Sequence, residues 1–143
     1  MILIQSPIIK LFLKEAEKMM ENSFNLSFIM ICGLICELSL KELCNSTKKF
    51  SELLEEAKKG GLISSYEYDA FDDIRKTRNK YAHWDIYKII YQGLVVVEPD
   101  QKVSFIEEKD EDDIAKVLEN EIFTDTHRIM RIYPVLLDFL KKN

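Results

Sequence analysis

From Leu26 to Cys44 the chain reads as a helix whose first half is apolar nearly all the way round, with Phe28, Ile29, Met30, Ile31, Leu34 and Ile35 leaving no polar face. Such a helix has to be covered on several sides, so the rest of the chain must supply neighbours for it. That requirement points to a helical bundle with this segment at its centre. Gly33 lowers the stability of the helix in isolation, and a close contact with a neighbouring helix is expected there. Glu37 is the first charge after the buried run. The charge-free stretch from Asn22 to Cys36 includes Asn22, Ser23, Asn25 and Ser27, and it is shorter than the roughly 20 residues a spanning helix needs. No membrane span is expected.

Cys32, Cys36 and Cys44 lie in the same segment. Cys32 and Cys36 are one helical turn apart, but no second cluster or histidine close in sequence completes a metal or redox set. They read as reduced thiols used as small buried hydrophobes, which suits a cytosolic, cytoplasmic protein. Neither metal nor cofactor is expected. Met1-Ile2-Leu3-Ile4 lacks a basic n-region and a small-residue cleavage site, so no signal peptide is expected.

The neighbours of the central helix can be traced along the chain. Ser6-Pro7 opens a first helix with Ile8, Leu11, Phe12, Ala16 and Met19 or Met20 as its apolar stripe. Ser46-Thr47 are expected to cap a third helix through Phe50, Leu53, Leu54 and Ala57, which Lys58-Lys59-Gly60-Gly61 ends. Ser64 or Ser65, with Glu67 close behind, opens a fourth helix running to about His83. Leu94 to Glu98 and Lys102 to Ile106 flank Pro99-Asp100-Gln101 and read as a small β-hairpin. An acidic run from Glu107 to Asp113 leads into a short helix, Asp113 to Glu119. A last helix is expected from about Asp125 to Lys141, with Ile129, Ile132, Tyr133, Leu136, Leu137 and Leu140 inward and a kink or break at Pro134.

At 143 residues this is one domain, 1–143. Few glycines and prolines, with 31% charged residues, favour a mainly α fold: a four- to five-helix bundle with a hairpin inserted between the fourth helix and the C-terminal helices. The net charge of −5 argues against a broad basic surface for coating nucleic acid. It leaves room for a small local basic site.

Such a site lies in Asp72 to Trp84, which holds one of the two histidines, the single tryptophan and four of the twenty basic residues. At about 100° per residue, setting Arg75 to zero puts Asn79 near about 40°, His83 near about 80° and Arg78 near about 300°. Ala70, Ile74, Thr77 and Tyr81 gather between about 200° and 260°. The apolar face points to the core, and Arg75, Asn79 and His83 form a stripe on the opposite side. Arg78 and His83 are about 140° apart on an ideal helix, so they converge through the reach of arginine or a change in the last turn. The bland alternative is that both are cations complementing the helix dipole. His127, beside Arg128 and Arg131, reads as part of the surface face of the last helix.

Arg78-Asn79-Lys80-Tyr81-Ala82-His83 resembles the R-x4-6-H motif of HEPN domains, including the polar residue right after the arginine. Leu53-Leu54, Gly60-Gly61-Leu62-Ile63 and Ile74 to Asn79 resemble in particular HEPN-like domains found beside or fused to restriction-system subunits. The likeness is clearest over about Phe28 to Trp84. It implies a bundle that dimerises so that two motifs face one cleft, and a metal-independent endoribonuclease activity in the family's active members. His83 would then activate the ribose 2′-hydroxyl or protonate the leaving oxygen, and Arg78 would stabilise charge developing on the phosphate. Asn79 would orient the histidine or bind a phosphate oxygen, and cleavage would leave a 2′,3′-cyclic phosphate. Arg75, Lys76 and Lys80 would bind the RNA substrate. Glu37 matches a recurrent acidic position of the family and would pair with Arg78 or Arg75; a surface Glu37–Lys41 pair is the alternative.

The partners so implied are a second copy, RNA, and an antitoxin or restriction-system subunit. Family toxins paired with a minimal nucleotidyltransferase antitoxin often carry a tyrosine two residues after the histidine. Here that position is Asp85, with Tyr87 two further on, which argues against that type of antitoxin. A second function class is a non-catalytic HEPN-like module for dimerisation, for nucleotide binding or for binding a partner subunit. Catalysis requires Arg78 and His83 exposed in one cleft, whereas an Arg78 locked in a buried ion pair with Glu37 decides for the module.

Overall fold

The structure is a computed structural model and describes residues 2–83, 95–97, 103–105 and 111–143. Five α-helices stand among the described residues: α1 Pro7–Glu21, α2 Asn25–Cys44, α3 Phe50–Lys59, α4 Ser65–Ala82 and α5 Glu111–Lys142. A 3-10 turn, Leu3–Gln5, precedes α1. The fold is a mainly α-helical bundle. α2 is its centre and packs against α1, α3, α4 and α5. Phe28, Ile29, Ile31, Cys32, Ile35, Cys36 and Leu40 are buried in it, while Leu34 stays 43% exposed.

The fourth-helix start follows the sequence reading. Ser64 Oγ accepts from the Glu67 N–H at 3.1 Å, and Glu67 Oε1 accepts from the Ser64 N–H at 3.0 Å. This capping box satisfies two donors at the helix start. The preceding turn closes through Gly61, whose φ of 70° falls in the left-handed region, and Ile63 docks into the core.

Three expectations are corrected. α3 is not capped by Ser46-Thr47: its N-cap is Lys49, and Ser46 instead accepts from the Lys48 N–H at 3.2 Å in the loop. α2 ends on Asn45 in the left-handed conformation at φ 47°, which sets that loop's direction. Of the stripe expected on α1, Ala16 is buried and Phe12, Met19 and Met20 pack partly buried on the core, but Ile8 and Leu11 are 44% and 54% exposed and Ile9 and Leu13 take their place. Apolar residues occupy two overlapping faces of this helix, so the partner surface chooses between them.

The two C-terminal helices are one helix, α5, which runs through Pro134. Residues 120–124 contain neither glycine nor proline, and the Thr126 hydroxyl donates to the Ile122 carbonyl at 2.6 Å. Pro134 lacks the N–H that would bond the Met130 carbonyl. The inward face of α5 includes Ile129, Tyr133, Leu136 and Leu140 as expected, with Ile132 and Leu137 partly buried. Phe139, which the sequence reading left out, is 1% exposed and packs edge-on against Phe71 at 5.0 Å between centroids.

Two short strands, β1 Val95–Val97 and β2 Val103–Phe105, pair antiparallel with Val96 opposite Ser104. The turn expected at Pro99-Asp100-Gln101 lies outside the described residues, as do Trp84, Asp85 and Tyr87. Among the described residues no helix is long and apolar enough to cross a membrane.

Candidate functional site

The second half of α4, the middle of α2 and the first turn of α3 enclose a cleft of about 380 Å³. Arg75, Arg78, Asn79 and His83 line it from α4, Glu37 from α2, and Lys49, Phe50 and Ser51 from α3. The two residues that an ideal wheel separates thus share one cleft within one chain. Arg78 leaves α4 toward α2 and α3, and His83 is the residue on which the helix ends. Its backbone, at φ −96° and ψ 10°, has left helical geometry, while its N–H still bonds the Asn79 carbonyl at 3.0 Å.

Arg78 is held from three directions. Its Nη1 donates to Glu37 Oε2 at 2.7 Å and its Nη2 to Asn79 Oδ1 at 3.3 Å. The guanidinium carbon lies 5.4 Å from the centroid of the Phe50 ring. The Arg78 and Glu37 side chains keep 16% and 21% exposure, so the pair is half-buried on the cleft wall. A guanidinium has five N–H donors, and the two contacts leave the others for a ligand. Glu37 also meets Lys41 at 3.3 Å, so both pairings read from sequence form at once. Burial raises the Glu37 carboxyl, but the hydrogen bond and charge of Arg78 and the charge of Lys41 outweigh it and hold the group below its ordinary range.

The remaining residues of the sequence reading divide. Arg75 lines the cleft while donating Nε and Nη2 to Asp72 Oδ1 at 3.0 and 2.8 Å. Lys76 is exposed and pairs with the other Asp72 oxygen at 3.0 Å, outside the cleft lining. Lys80 points away from the site. It donates to Glu121 and to Asp125 on α5 at 2.5 and 2.9 Å. Asp125 is nearly inaccessible and also accepts from the Tyr81 hydroxyl at 2.5 Å and from Arg128 Nη1 at 2.7 Å. Arg128 continues to Asp73 and Thr77. This network fastens the back of α4 to α5.

Lys49, Phe50 and Ser51 are the cleft residues that sequence reasoning missed. The signal was present: placing the α3 cap at Lys49 rather than at Ser46-Thr47 would have put a cation and the first N–H groups of a helix beside the motif. Lys49, Arg75 and Arg78 against Glu37 make the lining net positive in a chain of net charge −5. Burial pushes the Cys32 and Cys36 thiols well up, and the Arg78 charge only partly offsets this at Cys36. His127 lies elsewhere, exposed on α5, with its ring 4.1 Å from that of Phe123 and Nδ1 3.0 Å from the Phe123 carbonyl.

No family model matches the chain, and no curated protein or solved structure matches it either.

Proposed function

We propose that this chain is a HEPN-type, metal-independent endoribonuclease of a prokaryotic defence or toxin–antitoxin system, acting in the cytoplasm as a homodimer. The observation that carries the reading is the single cleft holding Arg78, Asn79 and His83 with a net positive lining. A guanidinium with spare donors suits a phosphate, and an exposed imidazole suits proton transfer near neutral pH.

In this reading the ribose 2′-oxygen attacks the adjacent phosphorus as its proton leaves. The bond from phosphorus to the 5′-oxygen breaks, and that oxygen leaves protonated. The products are a 2′,3′-cyclic phosphate and a 5′-hydroxyl. His83 moves one of these protons. Arg78 bears the charge that gathers on the non-bridging oxygens, and Asn79 steadies Arg78. Arg75 and Lys49 attract the RNA strand. An antitoxin or restriction-system subunit is the expected protein partner.

The test is cleavage of single-stranded RNA by the purified protein in excess chelator. Wild type should cut and leave cyclic-phosphate ends, and His83→Ala should be at least about 100-fold slower. A wild-type protein that cuts no RNA, or a variant that cuts equally well, sinks the proposal.

The Arg78–Glu37 pair favours one second reading, a non-catalytic module that binds a nucleotide or a partner subunit. The pair neutralises much of the arginine's charge, yet it is half-buried and faces the cleft, so it restrains Arg78 without removing it. Under the module reading, Arg78→Ala weakens nucleotide or subunit binding and no RNA is cut by any variant.

A further inference from the structure

Gly33 stands in the middle of α2 with the stem of Arg78 lying across it. A methyl group added at Gly33 would meet Arg78 Cγ at 2.8 Å and Cβ at 2.9 Å, with Cδ nearer still. Carbon atoms in favourable contact sit about 3.5–4.0 Å apart. The Arg78 Cβ is fixed to the α4 backbone, so a rotamer change cannot clear all three contacts. Glu37 follows Gly33 by four residues, on the same face of α2. The arginine stem therefore crosses α2 at the glycine, and its head lands one turn further on, 2.7 Å from Glu37.

We propose that Gly33 is a positioning residue for Arg78: the missing side chain is the notch that lets the guanidinium reach Glu37, Asn79 and the Phe50 ring together. Its consequence for catalysis rests on the phosphate-stabilising role proposed for Arg78, while the packing relation between the two residues does not. Glycine is among the poorest residues for a helix interior, so alanine should strengthen this helix in isolation. In the folded protein it should do the reverse.

Four proteins test this: wild type, Gly33→Ala, Arg78→Ala and the double variant. Urea unfolding is measured on each, with kcat and KM for single-stranded RNA in chelator. Gly33→Ala is expected to raise the unfolding equilibrium constant about tenfold or more in the wild-type background. In the Arg78→Ala background Cγ and Cδ are gone but the Cβ contact at 2.9 Å stays, so it should raise it by less than in the wild-type background. Gly33→Ala should lower kcat about 100-fold with little change in KM, and the double variant should be no slower than Arg78→Ala.

Equal destabilisation in both backgrounds, or a Gly33→Ala enzyme of normal kcat, overturns the proposal. If Gly33→Ala fails to fold, the Gly33→Ala/Arg78→Gly variant, free of all three contacts, must fold, and its failure also overturns it. If wild type cuts no RNA, the endoribonuclease reading falls alone, and the unfolding comparison still decides whether Gly33 seats Arg78.

Discussion

Glu37 stands between two cations and takes part of its behaviour from each. Its carboxyl is held below its ordinary value of 4.5 in the folded chain, so the pairing adds stability above that value and is lost as pH falls through the lower folded-state one. At neutral pH the seat of Arg78 is therefore fully formed. Removing the charge should split binding from turnover. Glu37→Gln makes the cleft one unit more positive, so an uncleavable 2′-deoxy oligonucleotide should bind a few-fold tighter at low salt. The same change frees the guanidinium to wander, and kcat should fall about tenfold. Unchanged affinity together with unchanged turnover would show that Glu37 does not govern Arg78. The family resemblance offered Arg78 or Arg75 as the partner of Glu37, with Lys41 as the alternative, and the Arg78 and Lys41 pairs are the ones that form. It misplaced Lys80, which follows Asn79 in the chain but lies about 140° from Arg75 on the helix. Neighbours in sequence were grouped where the wheel separated them.

Helix α4 packs against α2, α3 and α5, and ion pairs fasten its face turned away from the cleft to α5. Asp125 accepts from Lys80, Tyr81 and Arg128 while almost wholly inaccessible, and their hydrogen bonds and charges outweigh the effect of burial and hold its carboxyl below its ordinary value of 3.8. Removing one partner of such a group leaves the others uncompensated, although Lys80 and Arg128 keep some contact with water. Asp125→Asn should cost about 2–3 kcal/mol in urea unfolding at pH 7. The sign follows from the depressed value: the deficit should be full at neutral pH and shrink as pH falls below 3.8 and through the lower folded-state value. A deficit that stays constant across that range would mean that packing, not charge, is lost.

The same scale shows why some elements could be read and others could not. The Ser64–Glu67 capping box is local, so its two hydrogen bonds are written into four consecutive residues. The burying face of α1 and the cap of α3 are not local. Ile9 and Leu13 win over Ile8 and Leu11 because α2 lies on that side, and the Asn45 turn carries the chain past Ser46 before α3 can start. The continuity of α5 was hidden by an acidic run that resembled a loop, and the ion pairs to Lys80 that bridge residues 121 and 125 come from another helix.

At the scale of the whole molecule, one protomer's cleft already holds the complete motif. The family resemblance implies a dimer in which two motifs face one cleft. The cleft geometry favours sites complete within one chain. Mixing Arg78→Ala with His83→Ala protomers should therefore restore no RNA cleavage, since every site would lack one of the two groups. Recovery toward about a quarter of the wild-type rate, one live site in the half of the dimers that are mixed, would instead show that sites are shared across the proposed dimer.

The central position of α2 has a consequence in time as well as in space. A helix touched by four others cannot open alone, so its amide hydrogens should exchange with solvent only when the entire bundle comes apart. Exchange at Ile35 or Cys36 would then be a clock for global unfolding, whereas the amides at the end of α4 should exchange by local fraying. Gly33 and Glu37 should then belong to the slowest part of that clock and His83 to its fastest.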